Sequence, residues 1–289
     1  MKNHKEHYIA CKENYNNSQE SQYNSVYDLS IDNNLLDDHL DTNYYNLMKI
    51  IKEKIEYKYT AKTNCYVYPK HCIRLNDWKD ILELEELAKI FMPVIESKLF
   101  KSNAKIEFLH SYRHINQNYI EKNPYKPENA KSSWKWHVDG CPDEFIKIMF
   151  YLNEVNNTNG SMQYICDKNN KPIKYPANEP VRISENDIKN HINKGGKIIN
   201  ATGKPGSYSI FNANILHRGS ASQKNAIPRN ILIFFIRPSL NKNTTNYLEN
   251  TLSYFPFNWK GPWPPEVLMG DTTKYKELAP HHPKQYKFD

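Results

Sequence analysis

Apolar residues recur at helical spacing in the first third of the chain. Between residues 44 and 59 they fall at three- and four-residue steps, which predicts a helix buried along one side. A second helix is predicted over 77–99, and Pro93 is expected to bend it or divide it in two. Residues 1–43 are rich in Asn, Tyr, Ser and charge and have no sustained period, so we expect a flexible or loosely packed segment there.

The pattern changes after residue 103. Short segments of β-branched and aromatic residues are separated by Asn, Gly and Pro clusters, which is typical of antiparallel β proteins. A long insertion, 167–196, contains a helical pattern over 184–193, with Ser184 and Asp187 placed as in a capping box. The candidate strands are 105–113, 134–139, 145–152, 161–166, 197–200, 207–212 and 229–237.

Strands at short spacing, helices gathered before them and one long insertion predict a mainly β fold with α, a sandwich or jelly roll buttressed by N-terminal helices. We expect one domain over 44–240, with its helices in 44–99 and its β core in 103–240. The segment 1–43 precedes this domain. A Pro- and aromatic-rich extension, 241–289, is expected to pack on it.

The composition limits the class of protein. Hydrophobic residues make up 39% of the 289 residues, and no run approaches the roughly 18 apolar residues that cross a bilayer. The first residues have neither a signal-peptide nor a transit-peptide pattern, so a cytoplasmic protein without membrane partners is expected. The five cysteines are scattered without a Cys-x-x-Cys pair, which argues against a disulfide framework or a zinc knuckle. The net charge of +7 is dispersed, which favours a small-molecule substrate over nucleic acid.

A His-x-Asp sequence lies in the candidate strand 134–139. Residues two apart on a strand project to the same face, so His137 and Asp139 can bind one ion while Val138 points away. A further imidazole must come from another strand, and His217 follows the candidate strand 207–212. Two imidazoles and one carboxylate on one face of iron(II) leave positions open for substrate and oxygen. These three residues are therefore candidate metal ligands and catalytic residues.

Arg229 opens the most apolar run of the chain, 231–236. A guanidinium is rarely buried without a partner, and its forked donors suit a carboxylate such as the far one of 2-oxoglutarate. A salt bridge to a local Asp or Glu is the alternative. Arg237 has the same strand parity and is the second candidate for the role.

Taken together, these residues resemble the phytanoyl-CoA dioxygenase-like branch of the iron(II)/2-oxoglutarate-dependent oxygenases, over about residues 105–238. The resemblance implies a double-stranded β-helix core of jelly-roll or cupin-like type. It also implies Fe(II), with 2-oxoglutarate and O2 as co-substrates. The features that carry it are His137-x-Asp139, the run 148–153, Asn159-Gly160-Ser161, the turn 203–206, His217 and Arg229.

In that family the corresponding residues are the iron triad and the Arg that binds the oxoglutarate carboxylate. Arg229 follows His217 by 12 residues, one more than the family's usual step. Tyr112 and Lys147 are further co-substrate contacts suggested by position. Asp139 favours hydroxylation, because related halogenases carry a small residue there.

The substrate is expected to be a small polar metabolite of a biosynthetic or tailoring pathway, hydroxylated at an unactivated C–H bond. One alternative is an oxygenase of the same superfamily that modifies nucleic acid or protein. The other is a cupin-like metalloenzyme that does not use 2-oxoglutarate.

Overall fold

The computed structural model of the chain describes most of the region from residue 31 to residue 251. The described residues are 31–32, 34–61, 65–68, 72–75, 78–100, 103–114, 135–139, 145–175, 181–220, 222–223, 226–239, 246–249 and 251. Residues 1–30 and most of the predicted extension 241–289 lie outside them, as does Cys141 near the predicted metal ligands.

Three α-helices are described. Helix α1 is Thr42–Ala61, α2 is Glu83–Val94 and α3 is Glu185–Asn193. The first confirms the helix predicted over 44–59, and the third confirms the helix in the insertion, with Ser184 Oγ accepting a hydrogen bond from Asp187 N. In the part of the chain described, no helix combines the length and the hydropathy that spanning a membrane requires.

The second helix differs from its predicted range, 77–99. It begins at Glu83, and after Val94 the chain continues as a π-helix, Ile95–Phe100. Pro93 lies inside α2 and has no N–H to donate to the preceding turn, and the change to a π-helix follows two residues later.

Each of the seven candidate strands has a counterpart in the structure, and five short strands were not predicted. The predicted ones are β4 Ala104–His114, β5 His137–Val138, β6 Ile146–Tyr151, β7 Met162–Cys166, β9 Lys197–Ala201, β10 Tyr208–Asn212 and β12 Asn230–Pro238. The others are β1 Ile31–Asp32, β2 Cys65–Tyr68, β3 Cys72–Leu75, β8 Val181–Arg182 and β11 His217–Gly219.

The strands form two antiparallel sheets. The larger has the order β1-β10-β6-β12-β4-β3-β2, and the smaller has the order β8-β5-β11-β7-β9. Successive strands alternate between the two sheets from β4 to β7 and again from β9 to β12, whereas β7, β8 and β9 all belong to the smaller sheet. This alternation brings residues far apart in sequence onto facing surfaces.

The larger sheet is covered on both faces. On the outer face, Phe91 of α2 contacts Phe234 of β12 and Phe150 of β6, with ring centroids 4.9 and 5.9 Å apart. On the inner face, strand alternation directs Met149 of β6 into a second cluster, which also contains Met162 of the smaller sheet. The space between the two sheets is therefore a separate core from the one beneath the helices.

The residues described just before α1 contact the larger sheet. Leu36 is buried, and its N–H donates to the hydroxyl of Tyr208 over 2.7 Å. β1 also pairs with β10. These contacts involve one buried leucine and a two-residue strand, which leave no periodic pattern in a polar sequence.

Candidate metal centre

The two candidate histidines lie on neighbouring strands of the smaller sheet. His137 of β5 is directly opposite His217 of β11, and their ring centroids are 4.4 Å apart. Directly opposite residues of an antiparallel pair place their side chains on the same face. Asp139 follows two residues after His137, and its backbone N–H donates to the carbonyl of Ala213. The sheet therefore brings the three predicted ligands together.

Their ligand atoms form a compact set, all within 4.8 Å of one another. Asp139 Oδ1 lies 3.8 Å from His137 Nε2, and Asp139 Oδ2 lies 3.6 Å from His217 Nε2. These separations are too long for direct hydrogen bonds, whereas they suit donors that share one ion. Two imidazoles and one carboxylate are the donor set of a non-haem iron(II) site.

The backbone orients both imidazole rings in the same way. His137 Nδ1 lies 2.7 Å from the carbonyl oxygen of Lys135, and His217 Nδ1 lies 2.8 Å from that of Ile215. A carbonyl oxygen only accepts, so each Nδ1 carries the hydrogen. Each Nε2 is then left with its lone pair toward Asp139, as a metal ligand requires.

Burial keeps the two imidazoles neutral. It lowers the pKa of His217 to about 4 and the pKa of His137 well below its usual value. The mutual repulsion of the two rings lowers the pKa of His137 further, and the attraction of Asp139 opposes both shifts. At neutral pH both rings are therefore in the form that binds metal.

Lys147 is the countercharge of the candidate ligand Asp139. Its ammonium forms a buried ion pair with Asp139 Oδ2 and lies 4.7 Å from the ring centroid of Phe235 and 5.5 Å from that of Phe211. Burial raises the pKa of Asp139, but Lys147 and the two histidines outweigh it and lower that pKa below its usual range. The carboxylate is thus ionised throughout the neutral range.

The three predicted co-substrate residues do not lie together. Lys147 pairs in register with Phe235 of β12, whereas Tyr112 pairs with Ile231 at the other end of the same strand. Arg229 lies two residues further along β12, and strand alternation places it on the same face as Phe235. Lys147 is therefore beside the candidate ligands, and Tyr112 and Arg229 lie further along the inner face.

Arg237, the second candidate for the carboxylate, has a different role. It is buried, and its Nε donates to Glu107 Oε1 over 2.6 Å while its Nη2 lies 2.5 Å from the same oxygen. Glu107 sits opposite the irregularity of β12 between Phe235 and Ile236. Arg237 thus already has a carboxylate partner within the protein, and Arg229 remains the first candidate for the co-substrate carboxylate.

Other residues near the predicted ones were not identified from sequence. Arg229 Nη2 lies 2.7 Å from His114 Nε2, and the charge of Arg229 acts on Tyr151, whose pKa burial raises to about 12. The signal that could have found His114 is the alternation of β4, where every second residue from Phe108 to His114 is aromatic or His.

No protein-family model matches the chain, and no curated protein is similar to it. Similar solved structures include EctD from S. alaskensis with 2-oxoglutarate and 5-hydroxyectoine, which is 15% identical. The similarity covers 68% of this chain and 69% of EctD, with a TM-score of 0.45. EctD has also been solved with bound Fe.

Two further similar structures are those of HygX and SnoN. HygX from Streptomyces hygroscopicus, with nickel, 2-oxoglutarate and hygromycin B, is 10% identical over 78% of this chain and 89% of HygX, with a TM-score of 0.44. SnoN, an epimerase in complex with Fe3+, alpha ketoglutarate and nogalamycin RO, is 14% identical over 78% of this chain and 86% of SnoN, with a TM-score of 0.49.

Proposed function

We propose that this chain is a non-haem iron(II)- and 2-oxoglutarate-dependent dioxygenase that hydroxylates an unactivated C–H bond of a small polar metabolite in a biosynthetic or tailoring pathway. The observation that carries the proposal is the cluster of His137, Asp139 and His217, whose ligand atoms lie within 4.8 Å of one another. Both imidazoles present Nε2 to the carboxylate, as one shared ion requires.

The order of strands supports the same class of protein. From β4 to β12 the chain passes between the two sheets in the sequence expected of a double-stranded β-helix, and the predicted ligands lie on β5 and β11. α1 and α2 pack on the outer face of the larger sheet, where N-terminal helices were expected to buttress the core. This arrangement leaves the inner faces of both sheets for a site.

The side chains of the site have separable roles. His137, Asp139 and His217 hold the metal, and the rings of Phe211 and Phe235 exclude water from the Lys147 ammonium beside it. Iron(II) held by these residues would supply the activation of O2, with 2-oxoglutarate as the co-substrate. Arg229 binds the far carboxylate of 2-oxoglutarate further along the inner face, with Tyr112 beside it.

Anaerobic addition of iron(II) and 2-oxoglutarate tests this proposal. We expect a visible charge-transfer absorption of the chelate with the wild-type protein, and none with the double variant His137→Ala/His217→Ala. Circular dichroism of both proteins controls for folding. A folded wild-type protein without the absorption would contradict the proposal.

Arg229 distinguishes an oxoglutarate enzyme from a cupin-like metalloenzyme that does not use it. Arg229→Ala is expected to weaken 2-oxoglutarate binding by about tenfold or more, because a charged hydrogen-bond pair is lost. Metal binding measured by calorimetry should not change, since Arg229 is not one of the three candidate ligands. Unchanged affinity for 2-oxoglutarate would favour the cupin-like alternative.

The burial of the site favours a small substrate over a folded polymer. The most exposed of the three ligands, Asp139, has only 17% of its side chain exposed. Succinate release by the iron-loaded enzyme can be measured across a panel of amino acids, nucleosides and sugars. Stimulation only by oligonucleotides or peptides would favour the macromolecule-modifying alternative.

A further inference from the structure

Arg229 and His114 form a buried polar pair where β4 ends and β12 begins. Arg229 Nη2 lies 2.7 Å from His114 Nε2, and the two residues are 3% and 6% exposed. Their backbones are linked at the same place, because His114 N donates to the carbonyl of Arg229 over 2.8 Å. The side-chain bond is therefore additional to a backbone bond that would persist without it.

The chemistry of the pair fixes the state of His114. A guanidinium only donates, so the His114 Nε2 that faces it must be the unprotonated nitrogen of a neutral imidazole. A guanidinium has five N–H donors, so one bond to His114 is compatible with a bond from the same group to a carboxylate.

The neighbouring residues show that this pair belongs to the inner face. Arg113 and Asn230 form a second side-chain bond between the same strand ends, Arg113 Nε to Asn230 Oδ1 over 3.0 Å, and Arg113 stacks on Tyr59 of α1. Because side chains alternate in direction along a strand, His114 and Arg229 lie on the opposite face, toward the core between the two sheets. The Arg113–Asn230 pair and the His114–Arg229 pair lie at the same strand ends, on opposite faces of the sheet.

We propose that His114 is a positioning residue that holds the Arg229 guanidinium in the orientation that recognises the far carboxylate of 2-oxoglutarate. A long arginine side chain loses rotamer freedom when it binds a ligand, and a partner that fixes it beforehand reduces that loss. His114 thereby contributes to selectivity for a 2-oxo acid with two carboxylates without contacting the acid. This inference rests on the proposed function.

The test compares two 2-oxo acids of the same length in the iron(II)-loaded protein under anaerobic conditions. 2-Oxoglutarate has the far carboxylate and 2-oxopentanoate lacks it, and both chelate the metal at the other end. Their dissociation constants are measured from the charge-transfer absorption for wild type, His114→Leu, His114→Gln and the matched control Arg113→Leu.

In His114→Leu we expect the dissociation constant of 2-oxoglutarate to rise roughly tenfold and that of 2-oxopentanoate to stay unchanged. His114→Gln supplies an amide oxygen as acceptor and should recover part of the selectivity. Arg113→Leu loosens the same strand ends on the other face and should leave the ratio of the two constants at the wild-type value.

Three results would overturn the inference. Equal weakening of both acids in His114→Leu would show general damage to the site. Loss of selectivity in Arg113→Leu would show that strand pairing, rather than the orientation of Arg229, is responsible. Unchanged constants in His114→Leu would show that Arg229 needs no support. Absence of absorption in wild type would instead overturn the proposed function, and this inference with it.

Discussion

Asp139 and Lys147 are opposite charges held together in a buried setting, and each depends on the other in the metal-free protein. Lys147 is 4% exposed. Removing one partner of a buried pair leaves the other charge uncompensated, at a cost of about 3–5 kcal/mol. We therefore expect Asp139→Ala to lower the free energy of unfolding of the metal-free protein by about that amount, measured by urea denaturation.

The double variant Asp139→Ala/Lys147→Met is the control for this prediction. Methionine has a similar length without the charge, so the double variant should recover most of the stability lost in Asp139→Ala. The single variant Lys147→Met completes the double-mutant cycle. If the effects of the two single changes simply add, the pair is not coupled and the explanation fails.

The depressed pKa values of the histidines predict a pH dependence of stability. The pKa of His217 falls from 6.5 to about 4 on folding, so between these values the unfolded chain binds more protons than the folded one. The free energy of unfolding therefore rises with pH across this window. The stability that His217 contributes is lost as the pH falls from about 6.5 toward 4. Asp139 affects the pH dependence of stability only below this window, because folding lowers the pKa of its carboxyl group.

Urea denaturation of the metal-free protein at several pH values between 4 and 7 measures this dependence. His217→Gln removes one of the two titrating rings and should give a shallower slope. A wild-type slope of zero, or a slope that His217→Gln does not change, would contradict burial of a neutral imidazole.

At the scale of the elements, α2 stabilises the larger sheet through Phe91. This side chain is fully buried between β12 and β6. Phe91→Ala is expected to cost about 3–5 kcal/mol, because it removes apolar contacts and leaves a cavity. Tyr57→Ala on α1, whose side chain is 71% exposed, should change stability by less than about 0.5 kcal/mol. Equal effects of the two changes would contradict the packing described.

The elements that could be predicted from sequence are those with a local pattern. Helix α1 has a regular period, strand β12 is a continuous apolar run, and His137 and Asp139 share a face through strand alternation alone. β2 and β3 were missed between two helices, although their aromatic and β-branched residues around Pro69 and Lys70 offered a hairpin signal.

The partners of buried charges could not be predicted. Arg229 and Arg237 have the same strand parity, so the sequence could not distinguish them. Arg237 binds Glu107, which is 130 residues away in the chain, and Arg229 contacts His114, which is 115 residues away. Pairing across a sheet depends on register, and a bulge such as the one beside Phe235 alters that register without a sequence signal.

At the scale of the whole molecule, the candidate site connects the two sheets. Two ligands lie on strands of the smaller sheet, and the countercharge Lys147 lies on β6 of the larger one. A ligand that binds only the folded state stabilises it by mass action, by about 2.7 kcal/mol at 100 times its dissociation constant. We therefore expect nickel or iron(II) at that excess to raise the Tm of the protein, and EDTA to reverse the rise.

Differential scanning calorimetry measures this effect, and His137→Ala/His217→Ala is the control that should show no rise. The addition of 2-oxoglutarate after the metal should raise the Tm further. A metal-dependent rise that persists in the double variant would place the binding elsewhere on the chain.

The carbonyl groups of Lys135 and Ile215 also determine the proton balance of metal uptake. Each fixes the imidazole hydrogen on Nδ1, and Asp139 is already ionised, so a metal ion entering at neutral pH displaces no proton from its ligands. Metal uptake in most proteins releases protons to the buffer. Here calorimetric binding enthalpies in phosphate and in Tris should coincide at pH 7, although these buffers differ greatly in ionisation enthalpy. The affinity for metal should then be nearly constant across neutral pH.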